Sequence, residues 1–224
     1  MLIALDAGHG GKDAGASANE LMEKDITLKL ALKTGKYLRE SFHCDVVYTR
    51  NKDVFVTLSE RANIANKVHA DLFCSFHINS FNTSSKGFET FRFPGTKGKT
   101  AELQMVVHEE VMAVLRGYNI KDRGMKQEDF AVVRETKMPA LLTETLFISN
   151  PNEAKLLKSD SFLDEVAVAH AVGLAKAAGL KRVEQVLATE YYLKTGTFSS
   201  KVEAEKNAEM LRKEYGWIIH VTES

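Results

Sequence analysis

The chain has 224 residues, 44% of them hydrophobic and 27% charged, a globular composition long enough for one substantial core and a small appendage. Its 30 Lys and Arg balance 30 Asp and Glu, which removes any global electrostatic case for nucleic acid or acidic lipid as a partner. No apolar run approaches the roughly 18 residues of a membrane-spanning helix, and the opening MLIALDAGHGG lacks the basic region and long apolar stretch of an export signal, so membrane insertion and signal-directed export are not expected.

Leu2 to Asp6 reads as a buried strand running into the loop Ala7-Gly8-His9-Gly10-Gly11. From Lys24 to about Ser41 apolar residues recur at helical spacing. Val46 to Tyr48 reads as a short strand, Leu58 to Val68 as a helix opened by Thr57 with Glu60 three residues on, and Leu72 to Phe76 as a buried strand. This alternation predicts an α/β layered domain. Phe88 to Phe93 reads as a strand between polar loops, Glu102 to Leu115 as a helix, and Phe130 to Val133 and Ala140 to Glu144 as strands. Asn150 and Pro151 supply an N-cap and a first helical residue, and Phe162 to Ala177 forms the last helix of the domain, capped by Gly179. A catalytic-type domain is thus expected over 1–180, a polar linker over 181–189, and a strand-helix-strand unit over 190–224, with strands at Tyr191 to Lys194 and Trp217 to Val221 and a helix from Lys201 to Tyr215. So small a unit buries little core, which suggests that it docks or pairs with a second copy. Cys44 and Cys74 have no metal-type spacing and are expected as buried thiols, a pairing between them staying open.

His9 follows the first strand, Glu23 stands just before a helix, and His77 follows the strand from Leu72 to Phe76, so all three can project from one edge of a sheet. Two histidines and a glutamate are a recurring ligand set for catalytic zinc, which keeps its fourth position open. Asn79 is a candidate for positioning substrate or a ligand, against the alternative of a loop asparagine holding its own turn. Glu144 ends a strand whose same-face neighbours are apolar, and such burial brings a carboxyl toward the working range of a general acid or base. Asp13, Glu135 and Glu153 read as surface residues, and His43, His69, His108, His170 and His220 as structural or solvated.

These residues, in this order, resemble the zinc-dependent N-acetylmuramoyl-L-alanine amidases over Leu2 to about Gly179. The likeness rests on Leu5-Asp6-Ala7-Gly8-His9-Gly10-Gly11 with Asp13 and Gly15, Glu23-Lys24-Asp25, Thr49-Arg50, Leu58 with Arg61, Ser75-Phe76-His77-Ile78-Asn79-Ser80, and Met138-Pro139-Ala140 leading to Glu144 and Phe147-Ile148-Ser149-Asn150. It implies a twisted, mostly parallel sheet flanked by helices, one Zn2+ held by His9, Glu23 and His77, Glu144 as catalytic acid/base, and Asn79 and Arg61 as substrate-binding candidates. Peptidoglycan is the implied substrate, reached by holin-type export or cell lysis. Two departures stand out: Ala7 where a proline is frequent, and Leu146 where a glycine is frequent, the latter expected to narrow the space behind Glu144. The tail from Tyr191 to Phe198 and the following helix resemble half of a SPOR-type wall-binding repeat, implying wall binding or a homodimer. A zinc peptidase acting within stem peptides and a non-catalytic wall-binding protein are the rival readings.

Overall fold

The computed structural model describes residues 1–183, 197–215 and 221. The chain divides into two compact units, Met1–Val183 and Glu184–Ser224. In the second, helix Lys201–Tyr215 lies where its sequence pattern predicts it. The strand expected at Tyr191 to Lys194, and all but Val221 of the one expected at Trp217 to Val221, lie outside the described residues.

The first unit begins with strand β1 (Leu2–Ala7), followed by a two-residue-armed hairpin of β2 (Ser17–Ala18) and β3 (Leu21–Met22) that feeds directly into helix α1 (Glu23–Phe42). Then come β4 (Asp45–Tyr48), α2 (Leu58–Lys67), β5 (Leu72–Asn79), β6 (Phe88–Arg92), α3 (Lys99–Leu115), β7 (Asp122–Gln127), α4 (Ala131–Arg134), β8 (Ala140–Phe147), α5 (Pro151–Leu157) and α6 (Asp160–Ala177). Six strands form one sheet in the order β4-β1-β5-β8-β6-β7. Every neighbouring pair is parallel except β6 with β8, which gives the mostly parallel α/β fold that the alternating pattern predicts. From β1 the chain steps to one neighbour, β4, and then back across to the other, β5. Such a reversal of winding opens a crevice at the carboxyl ends of the strands.

Local chemistry sets the helix ends. Thr57 and Glu60 form a reciprocal capping box at α2. Asn150 accepts from the Asn152 and Glu153 amides ahead of Pro151, and Ser159 accepts from Phe162 N to open α6, the last helix expected in this unit, at Asp160.

The sheet has two unequal faces. On one, β1, β5 and β8 bury Leu5, Phe76 and Leu141 against Leu30 of α1, Val107 of α3 and Phe162 of α6. Each such fully buried side chain contributes about 1.5–3 kcal/mol. The other face carries a smaller cluster, Phe73, Phe91 and Leu142 packed with Ala65 of α2 and Val132 of α4. Because side chains alternate along a strand, His77, Glu144 and Glu89 fall on this second face, which two short helices cover.

The expected strand at Phe130 to Val133 is instead helix α4, and a strand lies upstream at Asp122–Gln127. The β-branched pair Val132-Val133 suggests a strand by propensity, yet both side chains are buried in the smaller cluster as one helical turn. Tertiary packing overrides propensity here. Strand β7 is an edge strand with mostly polar, part-exposed residues, so no apolar alternation marks it.

Candidate metal centre

Three buried polar residues build the loop that carries His9. The carboxylate of Asp6, near the end of β1, accepts from Arg61 Nη1 (2.8 Å), Thr49 Oγ1 (2.6 Å) and Ser75 Oγ (2.6 Å). Burial alone would raise its pKa. The Arg61 charge and the hydroxyl hydrogen bonds outweigh burial and hold Asp6 below the usual carboxylate value. Arg61 also donates to the Ala7 and His9 carbonyls (2.6 and 2.7 Å), while Arg50 donates to those of Ala7 and Gly8 (both 2.8 Å). Here the backbone leaves the sheet, and guanidinium donors take the place of ladder partners. His9 itself sits at φ 61°, a left-handed conformation that this bracing maintains.

Glu23 is the first residue of α1. The hairpin before it turns on Asn19 and Glu20, both at positive φ, and the Asn19 amide is tied to the Ile148 carbonyl at 2.8 Å. No side chain caps α1. Instead the Glu23 carboxylate accepts from Ala16 N (2.9 Å) and Ile78 N (3.0 Å), which fixes both its oxygens. His77 reaches the same point from β5. His9 Nε2 and His77 Nδ1 lie 3.2 and 3.0 Å from Glu23 Oε1, and one ligand atom from each of the three residues falls within 4.8 Å of the others.

This donor set fits a zinc ion. Bonds of about 2.0–2.1 Å in tetrahedral geometry separate donors by about 3.3 Å, close to the two contacts to Glu23. His9 Nδ1 meets Asp13 Oδ2 at 2.9 Å, and Asp13 is held in turn by Gly15 N at 3.0 Å. A carboxylate on the far nitrogen is the usual device for orienting a ligating imidazole. Burial opposes charge at both Glu23 and His9. The two imidazoles nevertheless hold Glu23 far below its ordinary pKa, and Glu23 with Asp13 raises that of His9. Mutual neutralisation of this kind marks a cluster built around charge. Two glycines make room for it: a Cβ on Gly8 would lie 2.5 Å from His77 Cε1, and one on Gly15, at φ +62°, would lie 2.6 Å from Glu23 Oε2.

Glu144 is the register partner of His77 across β5 and β8, and of Glu89 across β8 and β6. Its Oε2 is enclosed and has no hydrogen-bonding partner among the described residues. Burial, reinforced by the charges of Glu23 and Glu89, pushes its carboxyl well above the usual range. The strand does not end at Glu144 but continues to Phe147 through a bulge beyond His77, with Leu146 fully buried at φ 67°. That φ explains why a glycine suits the position. The Leu146 side chain packs in the larger cluster, on the face opposite Glu144.

Other residues lie elsewhere than their sequence context suggests. Arg61 is 2% exposed with its donors on internal acceptors, so it braces the ligand loop from beneath. The Asn79 amide is engaged at both ends, donating to Glu89 Oε1 (2.6 Å) and accepting from Ser80 N (2.8 Å). Asp13 is no idle surface acid, since it orients His9. Glu153 is buried, accepting from the Gly87 and Phe147 amides at 2.8 and 2.7 Å. His108 and His170 are buried within their own hydrogen bonds, as structural residues. Cys44 and Cys74 are buried free thiols. Asp6, Arg50 and Glu89 were not legible as site residues, although a charged residue inside an apolar strand, as at Asp6, is a signal that could have flagged the first.

The chain is similar to known proteins over most of its length. The family described as N-acetylmuramoyl-L-alanine amidase matches residues 3–176. The chain is 49% identical to an endolysin of Bacillus phage SPP1 over 183 residues, covering 81% of this chain and 67% of the relative. It is 40% identical to the N-acetylmuramoyl-L-alanine amidase CwlM of Bacillus licheniformis over 207 residues, covering 92% and 79%. The catalytic domain of the amidase CwlV from Bacillus (Paenibacillus) polymyxa superposes with a TM-score of 0.75 at 33% identity, covering 80% of this chain and 99% of that one. With the family match spanning most of the sequence and the sheet agreeing, the chain belongs to the N-acetylmuramoyl-L-alanine amidases, the hydrolases of peptidoglycan.

Proposed function

We propose that the chain is a zinc enzyme that hydrolyses the amide joining the lactyl group of N-acetylmuramic acid to the L-alanine of the peptide stem. The observation that carries this reading is the convergence of His9, Glu23 and His77 beside the uncompensated carboxyl of Glu144. When bound, zinc supplies a Lewis acid for the amide carbonyl and brings the pKa of water to about 7. The protein's own residues do the rest. Asp13 keeps the His9 ring in one orientation, and the Ala16 and Ile78 amides keep Glu23 in its ligating pose. Glu144 takes the proton of the attacking water and returns one to the departing alanine nitrogen as the C–N bond breaks. Its raised proton affinity suits both halves of that transfer.

Mass spectrometry of purified sacculi after digestion, with and without a chelator, tests the proposal. Intact stems with an L-alanine amino terminus support it, and cuts within the stem favour the peptidase reading. Glu144→Gln should keep zinc and fold yet lose turnover at least ~100-fold; undiminished stem release by that variant overturns the assigned role.

Similarity to a phage endolysin supports synthesis in the cytoplasm and release by a holin or by lysis, and no helix among the described residues is long and apolar enough to cross a membrane. For the C-terminal unit we propose wall binding or pairing with a second copy. Light scattering of the full chain separates a dimer from a monomer.

A further inference from the structure

The second face of the sheet carries a continuous row of ionisable side chains running outward from the metal centre: His77 on β5, Glu144 on β8, Glu89 on β6, then Arg123 and Lys126 on β7. Glu89 is 3% exposed and anchors the outer end of this row. Its Oε1 accepts from Asn79 and its Oε2 meets both Arg123 Nε, at 3.1 Å, and Lys126 Nζ. One carboxylate therefore faces two cations, with Glu153 a further acidic neighbour of Arg123. Both cations remain reachable, with side chains 28% and 41% exposed. The Arg123 guanidinium is also pre-set. It stacks over the Phe147 ring at 4.8 Å, and among the described residues its Nη1 reaches the Lys86 carbonyl, at 3.5 Å.

We infer that Arg123 and Lys126 form a subsite for a carboxylate of the stem peptide, beyond the alanine whose bond is cut. The inference rests on the amidase reading and names a specificity determinant for it. Neighbouring strands are about 4.8 Å apart, so Glu89 lies roughly 10 Å from His77. An extended peptide covers about 3.3–3.6 Å per residue, which brings the third stem residue over the cation pair when the alanine amide sits at the metal centre. Glu89 contributes by fixing where the cations stand, and it does not itself contact substrate. The row also explains why a charged residue is tolerated at a buried strand position: Glu89 is fully paired, whereas Glu144 beside it is not.

The test uses muramoyl tripeptides that differ only in whether the carboxylate on the third residue is free or amidated. Wild type should prefer the free acid by roughly tenfold or more in kcat/KM, expressed mainly in KM. Lys126→Met and Arg123→Gln should each compress that preference toward unity, and Lys126→Arg should restore it. Zinc content and melting temperature, read alongside, separate loss of the subsite from loss of the fold. Equal preference in wild type and in whichever of the two variants folds, or no preference in wild type, overturns the subsite while leaving the amidase reading intact. Absence of any cleavage between muramic acid and alanine by zinc-loaded wild type overturns both.

Discussion

Replacing Gly8 by alanine offers a direct measure of how closely the fold is fitted around the metal ligands. Gly8 is not among the glycines at positive φ, so the added methyl acts by its volume. That methyl would stand 2.5 Å from His77 Cε1 and 2.8 Å from the Phe76 carbonyl, where ordinary contact begins near 3.4 Å. The imidazole must therefore retreat by about 0.9 Å, since the carbonyl beside it already accepts the Gly8 amide at 3.1 Å and is fixed in the sheet. Ligand constellations tolerate about 0.5 Å of displacement. Gly8→Ala should lose at least 10- to 100-fold in zinc affinity, the range seen when support for a ligand is removed, and about 1–3 kcal/mol of stability from overpacking. Gly173→Ala supplies the control. Its methyl would lie 2.8 Å from Val107 Cα where α3 and α6 cross, so it should cost similar stability, less about 1 kcal/mol regained in helix propensity, with no change in metal binding. Competition against a chromophoric chelator gives the affinity, and urea unfolding of the metal-free proteins gives the stability. If Gly8→Ala binds zinc as wild type does, or Gly173→Ala weakens binding equally, the steric argument is wrong.

Three further outcomes follow from the same geometry. Asp13→Ala should lower zinc affinity 10- to 100-fold with little effect on stability, because Asp13 is half-exposed and acts through His9 Nδ1; the same chelator competition reads it. Arg61→Met should destabilise by about 3–5 kcal/mol in urea titrations, since it leaves the buried Asp6 carboxylate and the loop carbonyls without their cation. His170 is enclosed, donating from Nδ1 to the Val166 carbonyl, and burial depresses its pKa from 6.5 to about 4. The unfolded chain therefore binds its proton first. The contribution is intact above pH 6.5 and falls as pH drops from 6.5 to about 4, by about 3 kcal/mol in all, then levels off. The stability difference between wild type and His170→Gln, followed by urea unfolding across that window, should show this slope; a flat difference counts against it.

Sequence pattern reaches far in this protein where the information is local. Apolar periodicity marks β1, α1, β5 and α6, and the Thr57-Glu60 and Asn150-Pro151 signals mark helix starts, because capping and burial depend on neighbours a few residues away. Position beside strand and helix ends nominates His9, Glu23, His77 and Glu144, and the family likeness assigns their roles, although β5 runs on through His77 to Asn79 rather than stopping before it. Strand β7 escaped because an edge strand needs no apolar alternation, and α4 because the burial of Val132 and Val133 is decided by elements distant in the chain. Asp13 and Glu153 looked like surface acids for the same reason: what each carboxylate accepts from is set by tertiary folding. Only the register of β5, β8 and β6 places Glu144 between His77 and Glu89, and only the tertiary fold sets Arg50 and Arg61 beneath the ligand loop. Residue types and spacing determine which groups are available for chemistry, whereas strand order and register determine which of them share one charged environment, because those interactions fall off within a few ångströms through space and are indifferent to separation along the chain.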